Sequence, residues 1–221
     1  MNISPDEIIY WQMEFVSINA TLVFTWLVML LLGIGSWLVT RHLSIELKLS
    51  RWQNLLEILV INLQEQIQET SGQTPNRYLP FVGTLFIFIA TANILAIVPL
   101  YQTPTGSLST TAALSILVFF AVPFFGIRQQ GIAKYLYQYL EPSPILLPFT
   151  VISELSRTLA LTVRLFGNVM SGGLIGAILL SLAPLFFPIV MQALGLLTGI
   201  IQAYVFSILT VIYISAASHE S

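Results

Sequence analysis

Five long apolar tracts, near 20–40, 78–100, 110–127, 147–182 and 188–215, constrain this chain more than anything else in it. Each approaches or passes the roughly 20 residues that a helix needs to cross a bilayer. In hydrocarbon the backbone must satisfy its own hydrogen bonds, which leaves helices and closed barrels; barrels use short alternating segments, unlike these. Only 8% of the 221 residues are charged, against about 25% in soluble domains, so most of the surface is expected to meet lipid. The expected fold is an all-α polytopic membrane protein, a single membrane domain over 1–221 with about five membrane helices. The last two tracts exceed a perpendicular crossing, and strong tilt is an ordinary answer to such excess. They are expected to form a hairpin, 147–217, hinged near Pro184 and Pro188.

Charge sets the orientation. Asp6, Glu7 and Glu14 precede the first tract without a Lys or Arg, whereas Arg41, His42, Lys48 and Arg51 follow it. The positive-inside rule then makes 1–19 an external N-terminus and 20–40 the first span, with the next segment in the cytoplasm. Arg77, Arg128 and Lys134 flank the second and third spans, 78–127, on the same side. Between them, Trp52, Leu55, Leu56, Leu59, Val60, Leu63 and Ile67 share one helical face, and Gln53, Asn54, Glu57, Gln64 and Glu65 lie away from it. That pattern predicts an amphipathic surface helix over 44–70, packed on protein or at the membrane interface.

Several function classes fall away. A net charge of −2 gives no reason to expect nucleic acid, and the absence of cysteine removes disulfides and thiolate metal sites. The histidines, His42 and His219, lie next to helix ends, so haem held between membrane helices is not expected. No phosphate-binding G-x-x-x-x-G-K-[ST] is present. No cofactor or metal is expected, and the chain is not expected to be an enzyme by itself. An N-terminus with acids and no basic run predicts no cleavable signal peptide.

The charges within the tracts are more telling. Glu154, Arg157, Leu161, Arg164, Asn168 and Ser171 are separated by 3, 4, 3, 4 and 3 residues, which draws one narrow stripe along a helix. An Arg at a helix centre costs about 2.5–3.5 kcal/mol on insertion scales. Glu154 stands one turn from Arg157, but Arg164 has no acid within a turn. It therefore calls for a carboxylate from another helix or another protein, or for water in a cavity; the plainer reading is a guanidinium that snorkels or braces helices. Gly172 and Gly176 form a G-x-x-x-G pair with Gly173 beside them, and Gln192, Gly195, Gly199 and Gln202 follow 3-4-3 spacing. Such glycines ordinarily serve close helix packing. Gln202, a lone amide in an apolar helix, needs a hydrogen-bonding partner, and Arg164 or Asn168 across the hairpin can supply it.

SRTLALTVRLFGNVMSGG resembles the signature of F-type ATP synthase subunit a, and IQAYVFSILTVIYISAA resembles that family's final helix. TANILAIVPL with TTAALSILVFF is similar to the preceding span pair, so the likeness covers most of the chain from about residue 45. The resemblance implies an ion-translocating stator subunit of a rotary synthase. Arg164 then takes the essential arginine position facing the carboxylates of a rotor ring of c subunits, and Asn168 and Gln202 line the same interface. It further implies two offset aqueous half-channels, steeply tilted final helices facing the rotor, peripheral-stalk b subunits as neighbours, and ATP chemistry on other subunits. It implies a bacterial plasma membrane, or a thylakoid membrane, as the surrounding bilayer.

Members of that family often carry Glu or His where this sequence has Gly173 and Gly195. With Glu154 the one carboxylate in the two long tracts, candidate channel lining reduces to Glu154, Arg157, Ser153, Ser171, Gln192, Thr198, Tyr204 and Ser207. Such a lining suits sodium as well as protons. SPDEIIYWQ and INATLVFTWLV also resemble the variant N-type synthases, which again implies Na+ as an alternative to H+. Two other classes stay open at this level: a stand-alone secondary transporter, although no internal repeat is visible, and a structural subunit of a respiratory complex, which has no use for Arg164.

Overall fold

The computed structural model describes residues 6, 9–13, 16–41, 51–72, 77–98, 101–140, 145, 147–182 and 187–218. Expectations that concern Glu7, Glu14, His42, Lys48, Pro184 and His219, and the surface helix from 44 to 50, lie outside those residues. Among the described residues, seven α-helices follow a short antiparallel hairpin of β1 (Ile9–Met13) and β2 (Val16–Asn19): α1 (Ala20–Thr40), α2 (Arg51–Ser71), α3 (Leu79–Ile94), α4 (Leu108–Gln130), α5 (Ile132–Leu140), α6 (Leu147–Leu182) and α7 (Phe187–Ser218). Five of them, α1, α3, α4, α6 and α7, are long and apolar enough to cross a membrane. The polytopic helical expectation is met. The β1–β2 hairpin and the short helix α5 were not anticipated from the sequence.

Local chemistry explains the boundaries. Gly72 ends α2 at φ 62° and Gly131 ends α4 at φ 85°, backbone conformations that favour glycine. Pro80 stands in the first turn of α3, where a missing N–H leaves no bond unmade. Inside the apolar helices, hydroxyls turn back onto their own backbone. Thr158, Thr162, Ser207, Thr210 and Ser218 each donate to the carbonyl four residues earlier, which hides a polar group that lipid cannot satisfy.

The core is shared by α3, α4, α6 and α7. Val82, Leu85 and Ile89, Val118 and Val122, Leu161 and Leu165, and Ala203, Phe206, Val211 and Ile214 form one buried cluster. From α2, Leu63 and Ile67 are buried, whereas Leu56 and Val60 of the predicted apolar face remain exposed. Near the chain's basic end, Tyr78 donates to Gln129 at 2.6 Å, and Tyr135 of α5 packs so tightly on Gly126 that an added Cβ there meets its ring at 2.6 Å. At the opposite end Asp6 accepts hydrogen bonds from Thr21 and Ser107, each at 2.6 Å. Phe24 of α1 stacks edge-on against Tyr101, whose phenol burial pushes well above the usual range. Ala20, Thr21 and Val28 are the described α1 residues that are buried, so α1 is attached mainly through that end.

At about 1.5 Å per residue, the 36-residue α6 is about 54 Å long, against about 30 Å of hydrocarbon.

Candidate functional site

The polar residues of α6 and α7 meet midway along the hairpin. Asn168 Nδ2 donates to Gln202 Oε1 at 2.7 Å. Of the two partners left open for Gln202, the amide of Asn168 is the one it takes. Gln202 is 4% exposed, and its Nε2 is a buried donor with no partner among the described residues. An unsatisfied buried donor costs about 1–3 kcal/mol, which favours water or a polar group beside it.

Beside that pair lies a cavity of about 390 Å³ between α3, α6 and α7. Asn93, Thr103, Asn168, Gln192, Thr198 and Gln202 supply its polar atoms, and Gly172, Gly173, Gly176, Gly195 and Gly199 form much of its wall. The two positions flagged above, Gly173 and Gly195, both face this space. No ionisable side chain lines it among the described residues. The glycines divide into two kinds. At Gly172, Gly173, Gly176 and Gly195 an added Cβ meets nothing within 4 Å, whereas at Gly199 it falls 2.8 Å from Asn93 Cβ. Close packing, the ordinary use of such residues, therefore holds for Gly199; the other four border open space.

Arg164 stands one turn from Asn168, toward the basic end, on the exposed side of α6. No hydrogen bond or ion pair joins it to the described residues. Two turns further on, Arg157 pairs with Glu154 at 3.2 Å and lies 5.3 Å above the ring centre of Tyr213. The lone guanidinium thus has the cavity on one side and a compensated charge pair on the other.

The other sequence candidates are scattered around this centre. Ser171 donates to Asn168 O at 3.3 Å, and Thr198 donates to Leu194 O at 2.9 Å while bordering the cavity. Gln192 borders it as well. Ser207 is buried away from it and bonded to Ala203 O, and Ser153 is exposed near the start of α6. Tyr204 points elsewhere, donating to Gln66 Oε1 of α2 at 2.7 Å. Sequence reasoning passed over Asn93, Tyr213 and Gln66. Asn93 carried a usable signal, being a lone amide in an apolar helix as Gln202 is.

The chain is similar to known proteins along most of its length. Residues 22–215 match the model of the family described as ATP synthase A chain. The chain is 60% identical over 218 residues to a protein of Acaryochloris marina named ATP synthase subunit a 2, covering 99% of this chain and 93% of that one. It is 61% identical over 218 residues to ATP synthase subunit a of Albidiferax ferrireducens, with 99% and 94% covered. To ATP synthase subunit a 1 of Crocosphaera subtropica it is 58% identical over 216 residues, with 98% and 94% covered.

Proposed function

The chain belongs to the ATP synthase A chain family, and from that premise we propose that it is the ion-translocating stator of the rotary motor, with Arg164 as the group that makes rotor carboxylates release their ion. It is a multi-pass membrane subunit of the ATP synthase complex, which displaces the transporter and respiratory-subunit readings. One observation carries the proposal: Arg164 is an exposed guanidinium with no hydrogen bond or ion pair to the described residues, on a helix apolar enough to cross a membrane.

A rotor carboxylate surrounded by lipid stays protonated or ion-bound, because its bare charge is too expensive there. Opposite Arg164 the ionised form is stabilised, so the ion departs. The cavity beside Asn168 and Gln202, with room for on the order of ten waters, is one aqueous half-channel; the region of Glu154, Arg157 and Tyr213 lies toward the other. Positive-inside charge puts the cavity on the external side. The fixed cation also blocks direct leakage between the channels. A potential of 100 mV supplies about 2.3 kcal/mol per elementary charge moved, which drives the ring of c subunits past this face. The excess length of α6 fits a steeply tilted hairpin along that ring, and α2 and the exposed side of α1 leave room for the b subunits. ATP chemistry takes place on partner subunits, in a bacterial plasma membrane or a thylakoid. The cargo is H+ or Na+, and a lining of amides and hydroxyls suits either; ATP-driven transport with and without sodium, in the presence of a protonophore, separates the two.

Arg164→Ala is expected to abolish ATP-driven ion pumping by the reconstituted complex while assembly and ATP hydrolysis remain. Pumping at the wild-type rate overturns the proposal. Lysine is a poor substitute, since a buried ammonium can lose its proton and a guanidinium cannot.

A further inference from the structure

We propose that Asn93 is a positioning residue that locks α7 at one height against α3, and that this lock is what presents Gln202 to Asn168. The functional part of the inference rests on the reading of that amide pair as part of the ion path.

Asn93 is 4% exposed and uses both ends of its amide. Nδ2 donates to the carbonyl of Gly199 at 3.1 Å, and Oδ1 accepts from Thr105 Oγ1 at 3.0 Å. Thr105 lies fully buried in the turn Pro104–Gly106, between α3 and α4. A flipped amide sets its oxygen against the Gly199 carbonyl, so one orientation is fixed. Three elements therefore meet at a single side chain.

Contact with Gly199 leaves no slack. A Cβ at 199 falls 2.8 Å from Asn93 Cβ and 2.9 Å from Cγ. Sliding α7 by one residue, about 1.5 Å and 100°, brings Thr198 or Ile200 to a space that admits only glycine. The other side chains that α3 and α7 bring to the buried core, Val82, Leu85 and Ile89 with Ala203, Phe206, Val211 and Ile214, are apolar. In lipid, apolar side chains have no hydrophobic drive to choose one register over its neighbours, and polar bonds and small-residue fits decide instead. Gln202 follows Gly199 by three residues, on the same side of α7, so whatever fixes 199 fixes 202. Its Oε1 then stands 2.7 Å from Asn168 Nδ2.

The chain has no cysteine, which makes the register measurable in the assembled synthase. A chain carrying Asn168→Cys and Gln202→Cys is treated with a short dimaleimide, with and without Asn93→Leu. Cross-linking is expected to fall by about tenfold with Asn93→Leu, the size of effect that losing one or two buried hydrogen bonds produces. Unchanged cross-linking in an assembled complex overturns the inference. Thr105→Val, which removes one bond and keeps the shape, is expected to give a smaller fall of about threefold. It decides the matter if Asn93→Leu does not assemble, and no change there is again a refutation. In the chain without added cysteines, Asn93→Leu is expected to raise the external ion concentration giving half-maximal ATP synthesis, with the amount of assembled complex unchanged. Lost cross-linking with an unaltered ion dependence keeps the lock and instead refutes the amide pair as part of the path.

Discussion

Adding one methyl group at residue 199 should disturb this protein far more than adding it at residue 195, one turn away. Both glycines border the cavity on α7. Alanine at either gains the same helix propensity, up to about 1 kcal/mol over glycine. At 195 the new methyl meets nothing within 4 Å; at 199 it lies 2.8, 2.9 and 3.3 Å from Cβ, Cγ and Nδ2 of Asn93. Carbon atoms prefer separations of about 3.5–4.0 Å, so two contacts fall well inside the repulsive wall. The nearest atoms belong to the stem of a buried side chain, not to a flexible tip, so α3 and α7 must part. Overpacking of this kind costs about 1–3 kcal/mol. Because propensity cancels between the variants, Gly199→Ala should be about 1–3 kcal/mol less stable than Gly195→Ala, which is about five- to 150-fold at about 1.4 kcal/mol per decade. Loss of coupled pumping by the solubilised complex at a fixed elevated temperature reports this as a half-life, the proper quantity for irreversible inactivation. Equal half-lives refute the claim that Gly199 is a contact glycine.

Two further outcomes follow from the site. Gln202→Leu removes the acceptor of Asn168 but leaves the guanidinium intact, so transport should slow by about tenfold, the scale of one lost hydrogen bond, and remain above that of Arg164→Ala; complete loss of assembly points to a packing role instead. For Glu154 and Arg157, the partly exposed pair at 3.2 Å should show a coupling of about 0.5 kcal/mol in a cycle of Glu154→Gln and Arg157→Gln. Single-variant costs that simply add in the double variant show that they are not partners.

The membrane helices were legible because their signal is local: twenty apolar residues in succession leave the backbone one solution. The α6 stripe was legible for the same reason, since a 3-4 spacing is a property of one helix. Asn93 was legible only as a lone amide in need of a partner, because that partner is a carbonyl 106 residues away, and nothing in TANI announces which helix will pass. The glycines show the limit most clearly. Spacing alone cannot separate Gly199, pressed on a neighbour, from Gly172, Gly173, Gly176 and Gly195, which face space. Tyr204 illustrates a competing pull: its hydroxyl follows Gln66 of α2, leaving the polar centre that its place in the sequence suggested. The β1–β2 hairpin escaped notice because it precedes the first membrane tract, where hydropathy carries little information.

A wall built from four glycines contains no rotamers. On that side the bore of the cavity follows main-chain geometry, and the side chains that can swing or reorient, Asn168, Gln192, Thr198 and Gln202, stand elsewhere around it. The calibre on the glycine side therefore changes only if whole helices shift apart.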